Sequence, residues 1–232
     1  GAANPSWTAA DISTTADGAR NVFVADIDSD GDLDIVSASH DDDTIAWYEN
    51  DGNSDPSFTK NVISTSADGA RGVHIADIDS DGDLDIVSAS RIDNKIAWYE
   101  NDGAANPSWS TTTIATSAAG ARDIHIADMD NDGDLDIVSA SSGDDTIAWY
   151  ENDGAANPSW TATDIATTAD GARDVYVSDL DNDGDLDIVS ASTFDDTIAW
   201  YENDGAANPT WTATDISISA DGASSVFIAD MD

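Results

Sequence analysis

Short apolar runs alternate along the chain with acidic breaks rich in glycine and asparagine, and no stretch keeps the three- and four-residue apolar spacing of a helix. In the first full unit the runs cover 21–27, 33–39, 44–49 and 57–64 and are rich in Val, Ile, Trp, Tyr and Thr, the residues that strands favour. Asp-Gly, Asn-Asp-Gly and Asn-Pro or Asp-Pro signals separate them and mark turns. The whole pattern then returns at a fixed step of 51 residues, with Asp26, Asp77, Asp128, Asp179 and Asp230 in the same place each time. TIAWYENDG starts at Thr44, Thr146 and Thr197, with Lys95 leading the second copy. NPSW or NPTW ends at Trp7, Trp109, Trp160 and Trp211, with Phe58 in the remaining slot.

Four short strands in a repeat of this length predict a blade of a β-propeller, so the expected fold is all-β. With the strands of a blade called A to D in chain order, residues 1–20 contribute a D strand of a partial blade. Complete blades follow over 21–71, 72–122, 123–173 and 174–224, and 225–232 supply the A strand of another, running over 225–231. Incomplete blades leave strand edges open. The chain is therefore expected either to be a piece of a longer propeller or to self-associate, copies closing the ring as a homo-oligomer.

Composition narrows the partners. Lys and Arg total 7 against 48 Asp and Glu, a formal net charge of −41. That balance excludes nucleic acid and an anionic membrane surface, both of which need a basic face. No apolar run approaches the ~20 residues of a spanning helix. There is no cysteine, which removes disulfides, thiolate metal sites and cysteine nucleophiles. Such charge alone would favour disorder, but 40% hydrophobic residues with 8 Trp can form a core. The first residue is Gly and no leader pattern is visible, so the chain reads as a processed product.

The strongest chemical signal lies between strands A and B, where the spacing is D-x-D-x-D-G-D-x-D. Calcium takes six to eight hard oxygens, and alternate aspartates in a tight loop supply them. By analogy with the EF-hand, positions 1, 3, 5 and 9 give carboxylates, position 7 a backbone carbonyl, and the glycine at position 6 the sharp turn. These roles fall on Asp26, Asp28, Asp30, Asp32 and Asp34, then on Asp77, Asp79, Asp81, Asp83 and Asp85. They recur on Asp128, Asp130, Asp132, Asp134 and Asp136, and on Asp179, Asp181, Asp183, Asp185 and Asp187. A last copy keeps Asp230 and Asp232 and is expected to be empty or weak. The EF-hand itself is excluded, since position 12 is Ser37 rather than Glu and the flanks are strand-like. Polar turns alone would leave five carboxylates within nine residues to repel one another, so four structural calcium ions are expected, ahead of magnesium, which keeps its waters.

This loop between two strands, once per blade, resembles the integrin-α-type FG-GAP and VCBS repeats over essentially the whole chain, although the Phe-Gly and Gly-Ala-Pro signatures are absent. The resemblance implies a calcium-loaded propeller, usually of seven blades, often on secreted or surface proteins. Adhesion domains, lectins and some polysaccharide lyases are members, so it leaves function open.

In a propeller the A–B and C–D loops share one face, and the B–C and D–A loops the other. Arg20, Arg71, Arg122 and Arg173 precede strand A, with Ser224 in the fifth slot. They can form a ring that grips acidic sugars or carboxylates, or pair with acids such as Asp17 and Asp42 to close adjacent blades; the abundance of acid favours ion pairs. The B–C tips differ between copies: His40-Asp41, Arg91-Ile92, Ser142-Gly143 and Thr193-Phe194. His40, Arg91 and Phe194 are thus candidates for ligand contact, an unconstrained loop being the equal alternative. The acidic pairs that follow, such as Asp42-Asp43, read as solvated turns. Phe23, His74, His125, Tyr176 and Phe227 share one strand-A position and read as core rather than as metal ligands. The strand-C tryptophans, Trp47, Trp98, Trp149 and Trp200, read as packing between blades, and the strand-D ones as more exposed.

No nucleophile–base or phosphate-loop motif appears, and Glu is rare, so the chain reads as non-enzymatic. The expected function is an extracellular or cell-surface, calcium-stabilised binding or adhesion module for carbohydrate or protein. The alternatives are a propeller domain of a polysaccharide-degrading enzyme and a spacer without ligand. Four calcium ions would still leave a formal charge of −33, which suits a salty extracellular setting.

Overall fold

The structure, a computed structural model, describes residues 9–231. Its sixteen strands form four antiparallel four-stranded sheets, each a meander in chain order. Blade 1 holds β1 (Ala19–Ala25), β2 (Asp34–Ser39), β3 (Thr44–Asn50) and β4 (Phe58–Ser64). Blade 2 holds β5 (Ala70–Ala76), β6 (Asp85–Ser90), β7 (Lys95–Asn101) and β8 (Trp109–Ala115). Blade 3 holds β9 (Ala121–Ala127), β10 (Asp136–Ser141), β11 (Thr146–Asn152) and β12 (Trp160–Ala166). Blade 4 holds β13 (Ala172–Ser178), β14 (Asp187–Ser192), β15 (Thr197–Asn203) and β16 (Trp211–Ser217). The first strands of successive blades pack side by side, β1 on β5, β5 on β9 and β9 on β13, and among the described residues the ring is not closed.

The first strand of each blade starts two residues ahead of the expected boundary and takes in the arginine. In blade 1, Ala19 pairs with Ser39 and Asn21 with Ala38, so Arg20 is the unpaired residue of a β-bulge. Arg71, Arg122 and Arg173 occupy the same bulge in the other blades.

At both chain ends the described residues form no ladder. Residues 9–18 contain no strand, and Trp7 lies outside the described residues. The segment 225–231 forms no strand either. It runs alongside blade 4, with the Phe227 ring 5.1 Å from that of Tyr176 and the Val226 N–H donating to Asp174 Oδ2 at 2.6 Å. Blades meet through side chains rather than backbone ladders, so a strand A beside its neighbour has no ladder until a strand B pairs with it.

The core lies between sheets. Ile27, Val36, Ile45 and Trp47 of blade 1 pack on Val73, Ile86 and Tyr99 of blade 2, and equivalent sets fill the next two interfaces. Strand B, Asp-Ile-Val-Ser-Ala-Ser, is covered on both faces, which is why its apolar residues do not alternate. Trp98 and Trp149 are 1% exposed; burying an indole of ~150–250 Å² contributes at most about 4–6 kcal/mol. Trp200, with no further blade among the described residues, is only half-buried. The expected interblade packing of the strand-C tryptophans therefore holds where a following blade exists. The strand-D residues Trp109, Trp160 and Trp211 are half-buried at the edges of the same clusters.

Two polar contacts tie the blades together, and neither was foreseen. Asn101 Nδ2 donates to Ile27 O of the preceding blade at 3.2 Å and to Leu84 O of its own at 3.1 Å. Asn152 and Asn203 repeat this bridge to Ile78 and Met129. At the opposite face, Asp43 Oδ1 accepts the Gly69 N–H at 2.9 Å, and Asn94, Asp145 and Asp196 do the same for Gly120, Gly171 and Gly222. The acidic pairs read as solvated turns thus include the latch that holds each D–A loop. Asp43 supports it in a left-handed conformation, φ 56°.

Candidate metal centres

Each aspartate loop is folded by its own carboxylates. Asp26 accepts the N–H groups of Asp30 and Gly31, both at 3.0 Å, through its two oxygens. Asp30 Oδ1 accepts Asp32 N–H at 2.9 Å. Gly31, at φ 97°, makes the reversal that a residue with a Cβ resists. Asp34, 1% exposed, accepts Ile27 N–H at 3.1 Å and Asn50 N–H at 2.8 Å, joining the loop to strand C. The loops at Asp77, Asp128 and Asp179 repeat this pattern.

In every repeat three carboxylates bring ligand atoms within 4.8 Å of one another: Asp26, Asp28 and Asp34; Asp77, Asp79 and Asp81; Asp128, Asp130 and Asp136; Asp179, Asp181 and Asp183. Positions 1 and 3 belong to all four groups, with position 5 or 9 as the third member. Asp30, Asp132, Asp85 and Asp187 lie outside these groups and hold backbone N–H groups. The side chains at position 7, Asp32, Asp83, Asp134 and Asp185, turn to the C–D glycines Gly52, Gly103, Gly154 and Gly205, where a Cβ would collide with the carboxylate.

The electrostatics fit a cation. Asp28 Oδ1 and Asp79 Oδ1 are buried without a hydrogen-bond partner, a costly state for a carboxylate oxygen. Burial, and then the charge of the position-5 aspartate, raise the pKa of Asp28, Asp79, Asp130 and Asp181. Burial lifts Asp85 and Asp136 to about 7 against the pull of backbone N–H donors. The negative charges of Glu49, Glu100 and Glu151 on strand C are also felt at Asp28, Asp79 and Asp130. Sequence reasoning passed over these glutamates, although each recurs in the Tyr-Glu-Asn-Asp-Gly segment. A divalent cation would satisfy the orphaned oxygens and favour the ionised forms, and an all-oxygen donor set suits a hard ion.

The other candidates separate. Arg20, Arg71, Arg122 and Arg173 line one cavity of about 270 Å³ on the axis, and among the described residues none makes an ion pair with Asp17, Asp42 or any other acid. The ion-pair expectation is therefore corrected: the bulge aims each guanidinium at the axis, away from those loops. His40 Nδ1 lies 2.7 Å from Asp41 Oδ1, half-buried. Arg91 is exposed and Phe194 is 70% exposed, on tips whose backbone is pinned to the D–A loop by Arg91 N–H to Gly69 O and Phe194 N–H to Asp170 O, both 3.0 Å. The strand-A rings stack along the axis, Phe23–His74 at 4.5 Å, His74–His125 at 5.3 Å and His125–Tyr176 at 4.9 Å. Burial, with His125 beside it, pushes His74 down to about 4, so it is neutral at neutral pH.

A family profile described as FG-GAP-like repeat matches residues 26–88, 77–139, 128–190 and 179–232, one match for each aspartate loop and the blade around it. The chain belongs to the FG-GAP-like repeat family. Among curated proteins no relative matches it. Solved structures similar to this FG-GAP-like chain include an Agrocybe aegerita lectin recognising non-reducing terminal N-acetylglucosamine (TM-score 0.56, 20% identity, 86% of this chain and 52% of that one). The V. cholerae biofilm matrix protein Bap1 is similar at TM-score 0.52 and 21% identity over 87% of this chain and 29% of that one. The Pseudomonas aeruginosa periplasmic gluconolactonase PpgL is similar at TM-score 0.55 and 13% identity, over 87% and 54%. The FG-GAP-like chain thus spans about half or less of each of these structures, and at such identities the likeness concerns the fold. No helix among its described residues is long and apolar enough to cross a membrane.

Proposed function

We propose that the chain is an extracellular, calcium-stabilised propeller acting as a non-enzymatic binding or adhesion module for carbohydrate or protein ligands. The observation that carries the calcium assignment is the four-fold recurrence of an all-carboxylate cluster with buried, partnerless oxygens in two of its copies. Magnesium, which keeps several waters, suits such a cage less well. The ion would act structurally. Each loop shares its second residue with the next blade through the asparagine bridge, as Ile27 O does with Asn101, so ordering a loop orders an interface. At free calcium ~100 times Kd, each site would add about 2.7 kcal/mol.

The binding role is supported by pinned B–C tips with differing side chains, and by a lectin and a biofilm matrix protein among the similar folds. The gluconolactonase shows that the same architecture also carries catalysis, so the non-enzymatic reading rests on the sequence, where no nucleophile–base set stands out. Self-association belongs to the same proposal: Ile216, Ile218 and Phe227, 56–77% exposed, leave an apolar flank at blade 4. A glycan array probed with calcium-loaded protein, beside a calcium-stripped sample, tests the reading. Selective binding that disappears without calcium supports it. A calcium-loaded, folded protein that binds no glycan and no protein ligand overturns it.

A further inference from the structure

The chain has only seven Lys and Arg residues, and four of them, Arg20, Arg71, Arg122 and Arg173, line a single cavity of about 270 Å³ where the first strands of the blades converge. Each is the unpaired residue of its β-bulge, which is the device that turns it out of the sheet and toward the axis. Grouping cations is unfavourable unless something neutralises them. Among the described residues no carboxylate oxygen lies within ion-pair distance of any of the four, and the Nε atoms of Arg71 and Arg122 are buried without a hydrogen-bond partner. Burial and then the charges of neighbouring arginines weaken the hold of Arg71 and Arg122 on their protons, Arg122 to about 10.

Internal neutralisation is the obvious alternative, but neither acid in the cavity forms an ion pair with an arginine. Asp123 Oδ2 accepts Val175 N–H of the next blade at 3.2 Å, and Asp174 Oδ2 accepts Val226 N–H of the terminal segment at 2.6 Å. Burial and the nearby Asp174 hold Asp123 well above the ordinary carboxylate range. Nor is an acid the regular companion of the arginine: the residue after Arg20 is Asn21 and the one after Arg71 is Gly72.

We propose that this arginine-lined cavity binds an oxyanion, and specifically the carboxylate of an acidic saccharide. Planar guanidinium forks match a carboxylate or sulfate bidentately, and several forks around one axis can grip a single such group from different sides. The rest of the chain repels anions at long range, so the site selects ligands that present their acid directly to the forks, and binding should strengthen as salt screens that repulsion until the ion competes. The saccharide part of this assignment rests on the binding-module reading above; the oxyanion chemistry does not. The site lies at the start of the strands, on the face opposite the aspartate loops, so calcium and anion should bind independently.

The test is calorimetric titration of calcium-loaded protein with glucuronate, inorganic sulfate and glucose, at matched ionic strength in a chloride buffer. Chelators are omitted because polycarboxylates would compete for the site. We expect glucuronate to bind and glucose not to, Arg122→Lys to weaken glucuronate at least about tenfold, and Arg122→Gln to abolish detectable binding. Melting in calcium should be unchanged or raised in both variants, since a repulsive charge is moved or removed. Absence of glucuronate binding to the folded wild-type protein overturns the inference, as does unchanged binding by Arg122→Gln. Binding of sulfate but not glucuronate overturns the saccharide assignment in favour of an inorganic anion. A glycan array positive only for neutral glycans, together with silent glucuronate titrations, would defeat this inference while leaving the binding-module reading standing.

Discussion

On the face that carries the aspartate loops, the repeats agree in sequence and in hydrogen bonding: Asp26, Asp77, Asp128 and Asp179 each close their loop on the same two N–H groups. On the opposite face the backbone contacts recur equally well, as in His40 N–H to Gly18 O and Arg91 N–H to Gly69 O, but the side chains at the tips change from blade to blade. A loop that wraps an ion has to repeat its side chains, because the side chains are the ligands. A loop held by backbone N–H and C=O groups leaves its side chains free to differ. The contrast is what the proposed function expects, with stability placed on one face and recognition on the other.

Removing the metal is the most severe way to break that contrast. If the aspartate face holds the fold through calcium, a calcium-free preparation should melt far lower than the loaded one, up to about 11 kcal/mol less stable for four saturated independent sites. Differential scanning calorimetry with calcium removed and then restored checks this, and an unchanged melting curve on verified metal-free protein would count against it.

A finer cut compares equivalent asparagines. Asn152 bridges Ile78 O and Leu135 O while nearly fully buried, whereas Asn50 Nδ2, with no preceding blade among the described residues, reaches only Leu33 O. Asn152→Ala should cost about 2–3 kcal/mol by leaving buried carbonyls unpaired, and Asn50→Ala about 1 kcal/mol or less. Equal losses in urea titrations would mean that the bridge between blades contributes nothing beyond the local turn.

Glycines sharpen the same comparison. Gly103→Ala on the aspartate face would set a Cβ against the Asp83 carboxylate at φ 66°, whereas Gly222→Ala on the other face meets only backbone strain at φ 65°. The second should cost about 1 kcal/mol and the first measurably more, read as a difference in melting temperature.

A last comparison concerns the axis and is read as a dependence on pH. His74 has a folded pKa of about 4 against 6.5 unfolded, so the folded state prefers the neutral ring. The stability from that preference is present above pH 6.5 and is lost as pH falls toward 4. His74→Phe, which places the side chain of Phe23 and Phe227 in the same slot, should lessen the fall in melting temperature across that window. Parallel curves for the two proteins would show that His74 does not titrate there.

Much of this architecture was readable along the chain because its signals are local. Strand runs, Asp-Gly turns and the aspartate spacing all lie within a few residues, and β2, β3 and β4 fall within a residue or so of their expected limits. Repetition at 51 residues made the reading stronger, since every blade is a separate trial of the same pattern. Misreadings arose where partners lie half a repeat or more apart. Asn101 meets Ile27 across 74 positions, and Asp43 meets Gly69 across 26. The arginines were expected to find acids because acids are abundant, yet composition does not state direction, and the bulge at Ala19/Asn21 is a matter of register.

Local sequence therefore decided the strands, the turns, the repeat and the oxygen-rich loops, because backbone propensity and ligand spacing act over a few bonds. The tertiary structure decided which three carboxylates of each loop converge, which asparagine staples which blade, and that four arginines share one cavity without an ion pair among the described residues. Those outcomes depend on how sheets stack around an axis, where packing between residues from different blades sets each side chain's direction and its access to water.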